Sequence, residues 1–158
     1  MTVLEFLEKF AADYTLEEGK PAVRVREVMT RRVGGAEAAR VVVIRADAKR
    51  YMCVIPLYHT LDLDQIRERL GAVSVEYVEE AEMRDLFPCC EMGAESPFGA
   101  LYGLPTLMDA SLECHEYIAF QGETYDKAIL MTVAEYKQLA SPRVFSFARP
   151  AEAELAGV

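Results

Sequence analysis

The chain is poor in the side chains that most metal sites and nucleophile systems use. Its 158 residues include two histidines, His59 and His115, and four cysteines, Cys53, Cys89, Cys90 and Cys114. The pair Cys89-Cys90 is not a CxxC motif, and the spacing does not suggest the four converging ligands of a zinc site. Cys114 and His115 could form a nucleophile system, but sequence neighbours on a strand point to opposite faces. We therefore expect reduced thiols and no metal or other cofactor.

Long apolar runs are also absent. No stretch approaches the roughly 20 apolar residues that are needed to cross a bilayer. The start, Met1-Thr2-Val3-Leu4-Glu5, lacks the basic region and apolar core of a secretory signal. We expect a cytoplasmic protein without a membrane partner.

Basic residues are in the minority, with 17 Lys and Arg against 26 Asp and Glu and a formal net charge of −9. Proteins that coat nucleic acid depend on neutralising phosphates, so this charge argues against that role. It does not exclude a pocket that takes one nucleotide end. The cations gather in two groups, Arg24, Arg26, Arg31 and Arg32, then Arg40, Arg45, Lys49 and Arg50. We interpret them as a solvated helix face and a solvated hairpin end, with Arg40 as the exception.

The residues that are present fit one folded domain. With 52% hydrophobic and 27% charged residues, the chain is neither disordered nor fibrous. A domain of this size buries roughly two-thirds of the surface that its unfolded chain exposes. We assign residues 1–147 to a single domain and residues 148–158 to a loose C-terminal tail.

Periodicity and turn residues predict the elements of that domain. An amphipathic N-terminal helix follows from the helical spacing of Val3, Phe6, Leu7, Phe10, Ala11 and Tyr14. Further helices are predicted at Val25–Val33 before Gly34-Gly35, at Asp64–Leu70 before Gly71, at Glu79–Leu86, and from Thr132, where Thr132 and Glu135 have capping-box spacing. A hairpin is predicted from Val41–Ala46 and Arg50–Ile55, with more strands at Val73–Val78, Thr106–Met108, Glu116–Phe120 and Lys127–Met131. This irregular alternation favours an α+β fold with a mixed, largely antiparallel, partly barrel-like sheet and packed helices.

One segment concentrates residues that control the backbone. It is the run Gly93-Ala94-Glu95-Ser96-Pro97-Phe98-Gly99, followed by Leu104-Pro105 and Asp109. Gly93 lets a peptide group approach a ligand closely, and Pro97 holds Ser96 in an extended conformation. Such a loop would act through its main chain. The alternative is an ordinary surface turn.

This pattern, together with Ile118-Ala119-Phe120-Gln121-Gly122 and the hairpin that starts at Ala39-Arg40, resembles the YbaK/prolyl-tRNA-synthetase-associated domain family. Order and spacing agree over about residues 36–140. That family removes wrongly attached amino acids from tRNA. The resemblance implies an aminoacyl-tRNA deacylase whose partners are the 3′ end of aminoacyl-tRNA and, as a further option, a synthetase.

The resemblance also implies a set of site residues. The loop at Gly93, Ser96 and Pro97 would hold the aminoacyl group and the attacking water, and Arg40 would stand in for the family's lysine. Substrate-binding positions would be Ala94, Glu95, Phe98, Gly99, Asp109 and Gly122. Asp109 would orient the substrate amine or the adenosine, or it would cap a helix at Ala110–Cys114. Gly122 would let the backbone approach the substrate, or it would only turn the chain.

Three positions depart from the family pattern. Arg40 replaces a lysine, and arginine is longer, planar and forked. The stretch Glu18–Val25 lacks the family's histidine-proline and tyrosine-threonine steps, and no histidine follows Gly122 closely. Two function classes therefore stay open. One is a trans-editing deacylase for a small mischarged amino acid on a tRNA, with proline tRNA favoured, and the other is a non-catalytic module that binds an aminoacyl or nucleotide end or docks on a synthetase.

Overall fold

The computed structural model describes residues 1–19 and 36–151. Its helices are α1 Val3–Lys9, α2 Leu63–Leu70, α3 Glu80–Leu86 and α4 Val133–Ala140. Its strands are β1 Thr15–Glu18, β2 Ala36–Ala46, β3 Lys49–Pro56, β4 His59–Leu61, β5 Val75–Tyr77, β6 Thr106–Asp109, β7 Tyr117–Gln121, β8 Lys127–Thr132, β9 Arg143–Phe145 and β10 Ala148–Pro150. Short 3-10 helices cover Gly99–Tyr102 and Ala110–Cys114. The predicted helix Val25–Val33 and the first group of arginines lie outside the described residues.

Eight of these strands form one mixed sheet in the described part of the chain. The order is β1-β8-β7-β2-β3-β6-β9, and β5 also pairs with β2. Neighbours are antiparallel except for three parallel pairs, β7 with β2, β3 with β6, and β6 with β9. The predicted α+β single domain is confirmed, with an open sheet rather than a closed barrel. No helix in residues 1–19 and 36–151 has the length and apolar character needed to cross a membrane.

Strand β2 connects the two halves of this sheet. Its first residues, Ala36–Ala38, pair with β7, and its last, Ile44–Ala46, pair with β5 along the same edge. On its other edge it pairs with β3 from Ala39 to Ala46. The strand begins five residues before the predicted Val41, because β7 supplies hydrogen-bond partners that the local sequence pattern does not reveal.

Alternation along the strands gives the sheet two different faces. One, here called the aromatic face, carries Ala39, Val41 and Val43 of β2 and packs against α1, α4 and the ring of Phe98. The other, here called the Arg40 face, carries Ala38, Arg40, Val42 and Ile44. Buried residues on the Arg40 face form two separate clusters, one around Ile44, Ile55 and Phe145 and a small one of Ala38, Ala119, Ala128 and Leu130.

The two ends of the domain differ from expectation. The predicted N-terminal helix ends at Lys9, because Ala11 takes a left-handed conformation with φ 51° and turns the chain into β1. Residues 148–150, assigned to a loose tail, form β10 and pair with β4. Strands β1, β4, β9 and β10 are three or four residues long, so each is stabilised by its partner strand rather than by a pattern of its own.

Candidate active site

The Gly93–Gly99 loop is attached to the sheet beyond the end of β7. The Glu123 N–H donates to the Ala94 carbonyl at 2.9 Å, and the Glu91 N–H donates to the Glu123 carbonyl at 2.8 Å. The side chains from Ala94 to Gly99 are buried. The loop is therefore a fixed part of the domain and not the ordinary surface turn of the alternative interpretation.

Inside the loop, the side chains serve the fold. The Ser96 hydroxyl lies 2.6 Å from the Tyr102 hydroxyl. The Pro97 carbonyl accepts a hydrogen bond from the Tyr136 hydroxyl at 2.6 Å. The ring of Phe98 is fully buried, with its centroid 5.2 Å from that of Tyr136 and 5.7 Å from that of Phe120. What the loop offers a ligand is consequently its main chain.

Two glycines are needed for this conformation. Gly93 has φ +90°, and a Cβ there would lie 2.2 Å from the Tyr125 hydroxyl, which donates to the Met92 carbonyl. A Cβ on Gly99 would lie 2.2 Å from the Leu104 carbonyl oxygen. Any other residue would displace the loop at both of its ends.

The main-chain donors of the loop are only partly used. The Gly93 N–H, which was expected to face a ligand, donates instead to Oε2 of Glu95 in the same loop at 3.1 Å. Glu95 is 7% exposed, and burial raises its pKa above the usual carboxyl range. Among the described residues, the Ser96 N–H has no hydrogen-bond acceptor.

A buried polar cluster that the sequence did not indicate lies beneath the loop. The Tyr102 hydroxyl donates to Glu123 Oε2 at 2.7 Å, and the Val3 N–H donates to Glu123 Oε1 at 2.8 Å. The Cys90 thiol contacts both Tyr102 and Glu123. Burial raises the pKa of Tyr102 and raises that of Cys90 to about 12, so Cys90 is a protonated thiol rather than a nucleophile. Glu123 has φ +77°, which is unusual for a residue with a side chain, and no sequence pattern marks it.

Arg40 belongs to a row of residues that crosses the Arg40 face. Arg40 pairs with Ile55 of β3. The pairing of β3 with β6 ends at Val54 and Met108. The next residue of each strand lies beside the other, which places Asp109 next to Ile55. The pairing of Ala38 with Ala119 places Gln121 two residues further along, next to Arg40. Neighbouring strands are about 4.8 Å apart, so Gln121, Arg40, Ile55 and Asp109 follow one another across four strands. Sequence reasoning did not select Gln121 as a site residue.

The guanidinium of Arg40 is held at the turn that follows β3. Its Nε donates to the Leu57 carbonyl at 3.2 Å, and its Nη2 donates to the His59 carbonyl at 2.7 Å. Arg40 is half-buried. These two hydrogen bonds leave other guanidinium N–H groups without an acceptor in the described residues, and they point to a cation in a fixed position.

Asp109 is occupied by the chain itself. Its Oδ2 accepts from the N–H and the hydroxyl of Ser111, and its Oδ1 accepts from the N–H groups of Phe147 and Ala148 at 2.8 Å each. It is 1% exposed and caps the 3-10 helix Ala110–Cys114. The cap alternative is confirmed, and the geometry does not favour Asp109 as a substrate ligand.

Gly122 closes the turn between β7 and β8. Its N–H donates to the Lys127 carbonyl at 2.8 Å, and a Cβ there would lie 3.1 Å from Ile129 Cδ1. The glycine is consistent with tight packing of the turn. The Phe98 side chain of the loop packs on the aromatic face, Arg40 lies on the other face, and the short segment Gln121–Glu123 connects β7 to the loop main chain.

Comparison with known proteins agrees with this fold. The family model of the aminoacyl-tRNA editing domain matches residues 20–139. The chain belongs to that family. Its predicted resemblance to the YbaK/prolyl-tRNA-synthetase-associated domains is confirmed.

Among individual relatives of this editing domain, the multifunctional Ser/Thr-tRNA deacylase ProXp-y of Escherichia coli K12 is 31% identical over 91 residues, which cover 57% of this chain and 54% of the relative. The same values hold for the protein of that name from Escherichia coli O157:H7. The chain thus spans about half the length of the curated relatives it matches.

Solved structures show the fold. The hypothetical protein APE2540 superposes with a TM-score of 0.80 at 17% identity, over 93% of this chain and 99% of its own. A proposed trans-editing enzyme for prolyl tRNA synthetase superposes with a TM-score of 0.75 at 19% identity, over 93% and 94% of the two chains.

Proposed function

We propose that the chain is an aminoacyl-tRNA deacylase that hydrolyses the ester between a small mischarged amino acid and the terminal ribose of a tRNA. Membership of the editing-domain family supports the substrate class. The observation that carries the proposal is the fixed cation, because Arg40 is held by two carbonyls in the row that includes Gln121. A fixed positive charge suits a phosphate or ribose group at the 3′ end of a tRNA.

The reaction needs little side-chain chemistry. A water oxygen attacks the ester carbonyl carbon, the bond from that carbon to the ribose oxygen breaks, and the ribose oxygen takes a proton. The products are the free amino acid and the uncharged tRNA. Because an ester is already activated, placing the water and stabilising the developing oxyanion can supply much of the acceleration. We assign oxyanion stabilisation to the main chain of the loop and proton transfer to a ribose hydroxyl of the substrate.

The identity of the amino acid is a further part of the proposal. The E. coli relatives are named for serine and threonine. The candidate substrates are therefore tRNAs that carry alanine, cysteine, serine or threonine. Proline tRNA is the proposed carrier and a synthetase is the proposed docking partner. One methylene in a pocket is worth only about 1–3 kcal/mol, so we expect graded rates across these small amino acids rather than a single substrate.

The test is the release of amino acid from tRNAs charged with alanine, cysteine, serine, threonine and proline. We expect Arg40→Ala to lose nearly all activity and Arg40→Lys to retain it, because lysine keeps a cation at this position. Arg143→Ala is the matched control, since Arg143 also donates to a main-chain carbonyl, that of Arg69 at 2.8 Å, but lies on β9. Wild-type rates in Arg40→Ala would contradict the assigned role.

The second candidate is a module that binds an aminoacyl or nucleotide end without catalysis. The same two hydrogen bonds favour it, because an arginine that donates to the carbonyls of Leu57 and His59 also stabilises the turn between β3 and β4. This candidate predicts no release above background from any charged tRNA, with binding intact. It also predicts that Arg40→Ala and Arg40→Lys lower the melting temperature by similar amounts.

A further inference from the structure

An open cavity lies beside the Gly93–Gly99 loop. It has a volume of about 300 Å³, within the size range of pockets for small ligands, and it lies between α3 and the start of the loop. Met83, Phe87 and Met92 form apolar walls, Glu95 and Cys90 lie on its floor, and Arg84 lies at its rim. We call it the Glu95 groove.

The groove is separate from the Arg40 face. Phe87, Met83 and Cys90 pack into the cluster of the aromatic face, together with Val41 and Val43 of β2. Arg40 alternates with these two valines along the strand, so its side chain projects from the opposite side of the sheet. Helix α3 is fixed on its own side by Glu82, which pairs with Arg45 and, at 2.8 Å, with Arg50.

The floor of the groove is a buried carboxylate with spare hydrogen-bonding capacity. Glu95 is 7% exposed, its Oε2 accepts the Gly93 N–H at 3.1 Å, and its own backbone N–H also hydrogen-bonds to the carboxylate. In the described part of the chain, no side chain donates to Glu95. Isolated buried carboxylates are unfavourable unless a cation or several donors compensate them. Here Glu95 lines an open cavity from which a ligand can supply further donors.

The rest of the groove defines what that ligand must carry. Three side chains of the wall are apolar, and methionine side chains adapt easily to an aliphatic ligand. Phe87 adds an aromatic ring that an ammonium can approach. Within residues 1–19 and 36–151, the guanidinium of Arg84 pairs with Glu80 at 2.8 Å and with no other carboxylate. Because this exposed pair contributes little, Arg84 can turn to a ligand carboxylate.

We propose that the Glu95 groove binds an organic ammonium ion that carries a short aliphatic chain, with the ammonium on Glu95 and the chain between Met83, Phe87 and Met92. Two sources share this chemistry, a monoamine and a free α-amino acid. An α-amino acid would also place its carboxylate near Arg84. The binding does not depend on hydrolysis of an ester.

The experiment uses the full chain labelled with ¹³C at the methionine methyl groups. Isopentylamine, L-leucine and N-acetyl-L-leucine are titrated separately, without tRNA. We expect saturable shifts of the Met83 and Met92 methyl signals with the two ammonium compounds and none with N-acetyl-L-leucine, which lacks the cation. Met52 and Met108, both 0% exposed, should not move and serve as internal controls.

Variants then test the contacts. Glu95→Gln should weaken binding of both ammonium compounds about 10-fold or more, because a charge-assisted hydrogen bond is replaced by a neutral one. Glu91→Gln, an exposed carboxylate of the same segment, should leave binding unchanged. Arg84→Gln separates the two sources. If the amino acid is the ligand, this substitution should weaken the binding of L-leucine and leave the binding of isopentylamine unchanged.

Three outcomes would overturn the proposal. They are the absence of saturable shifts with either ammonium compound, equal binding of N-acetyl-L-leucine, and unchanged affinity in Glu95→Gln. Because no charged tRNA is present, these outcomes do not bear on the proposed deacylase activity. A lack of deacylation in the earlier test likewise leaves the groove proposal standing.

Discussion

The aromatic face and the Arg40 face belong to the same strands but bury different kinds of side chain. On the aromatic face, Phe98, Phe120 and Tyr136 are almost fully buried, and their ring centroids lie 5.2 to 5.7 Å apart where they are in contact. On the Arg40 face, the buried cluster beside β7 consists of three alanines and one leucine. Large rings fill space and stabilise the domain, whereas the buried alanines near Arg40 contribute little side-chain volume.

We expect this difference to separate stability from function within one sheet. A strand has only two faces, and alternation along β2 sends Val41 and Val43 to one and Arg40 to the other. The proposed role of Arg40 therefore does not depend on a residue that holds the main core. We expect substitutions on the aromatic face to act mainly on unfolding, and those around Arg40 to act mainly on turnover.

The largest expected effect is that of Phe98→Ala. It removes the ring that contacts Phe6, Phe120 and Tyr136, so we expect a loss of about 3–5 kcal/mol in the free energy of unfolding. Val42→Ala, partly buried on the Arg40 face, should cost only about 1 kcal/mol. Urea unfolding followed by circular dichroism measures both. Equal losses would remove the distinction between the faces.

Asp109→Asn should have the next largest effect. Asparagine keeps one acceptor oxygen, but its NH₂ group faces backbone N–H groups that donate to Asp109 in the wild type. We therefore expect the free energy of unfolding to fall by about 2–3 kcal/mol. Asp62→Asn is the control, because Asp62 caps α2 by accepting the Gln65 N–H, asparagine caps equally well, and the ion pair of Asp62 with Arg149 is long, at 3.9 Å. If Asp109→Asn unfolds like the wild type but loses deacylation, the carboxylate would instead act on substrate.

The smallest expected effect is the pH dependence of stability that comes from Glu95, the buried carboxylate of the loop. Burial raises its pKa in the folded protein, so ionisation of Glu95 opposes folding. Its contribution to stability is present below the unfolded pKa and is lost as the pH rises through the folded pKa. The melting temperature of Glu95→Gln relative to wild type should therefore rise between pH 4 and pH 7. A flat difference between Glu95→Gln and wild type would contradict the assigned burial.

Local sequence patterns predicted the elements whose signals are complete within a few residues. Helix α2 runs from Leu63 to Leu70, next to the predicted Asp64–Leu70, and ends at Gly71 with φ 66°. The hairpin of β2 and β3 and the main strands β7 and β8 also lie where alternation placed them. At Thr132, the side chain caps α4 by accepting the Glu135 N–H at 3.1 Å, as the spacing predicted. In each case the residue types that specify the element are adjacent in sequence.

The missed features depend on partners far along the chain. Tyr102 and Glu123 are 21 residues apart, and neither position carries a sequence signal for the hydrogen bond between them. Asp109 accepts from residues 38 and 39 positions later, which decides between its two interpretations. The short strands β4 and β10 likewise form only because the chain returns to pair them.

By itself, the sequence determined the family, the α+β class and the position of the Gly93–Gly99 loop, because glycine, proline and periodic apolar residues constrain the backbone locally. Only the tertiary structure decided which of those residues meet. Two parallel pairings, β7 with β2 and β3 with β6, place Gln121, Arg40 and Asp109 in one row. The alternation of side chains along β2 separates that row from the Glu95 groove, which lies on the aromatic face. Parallel pairing joins segments that are distant in sequence, so the register that forms the row is set by packing of the whole domain.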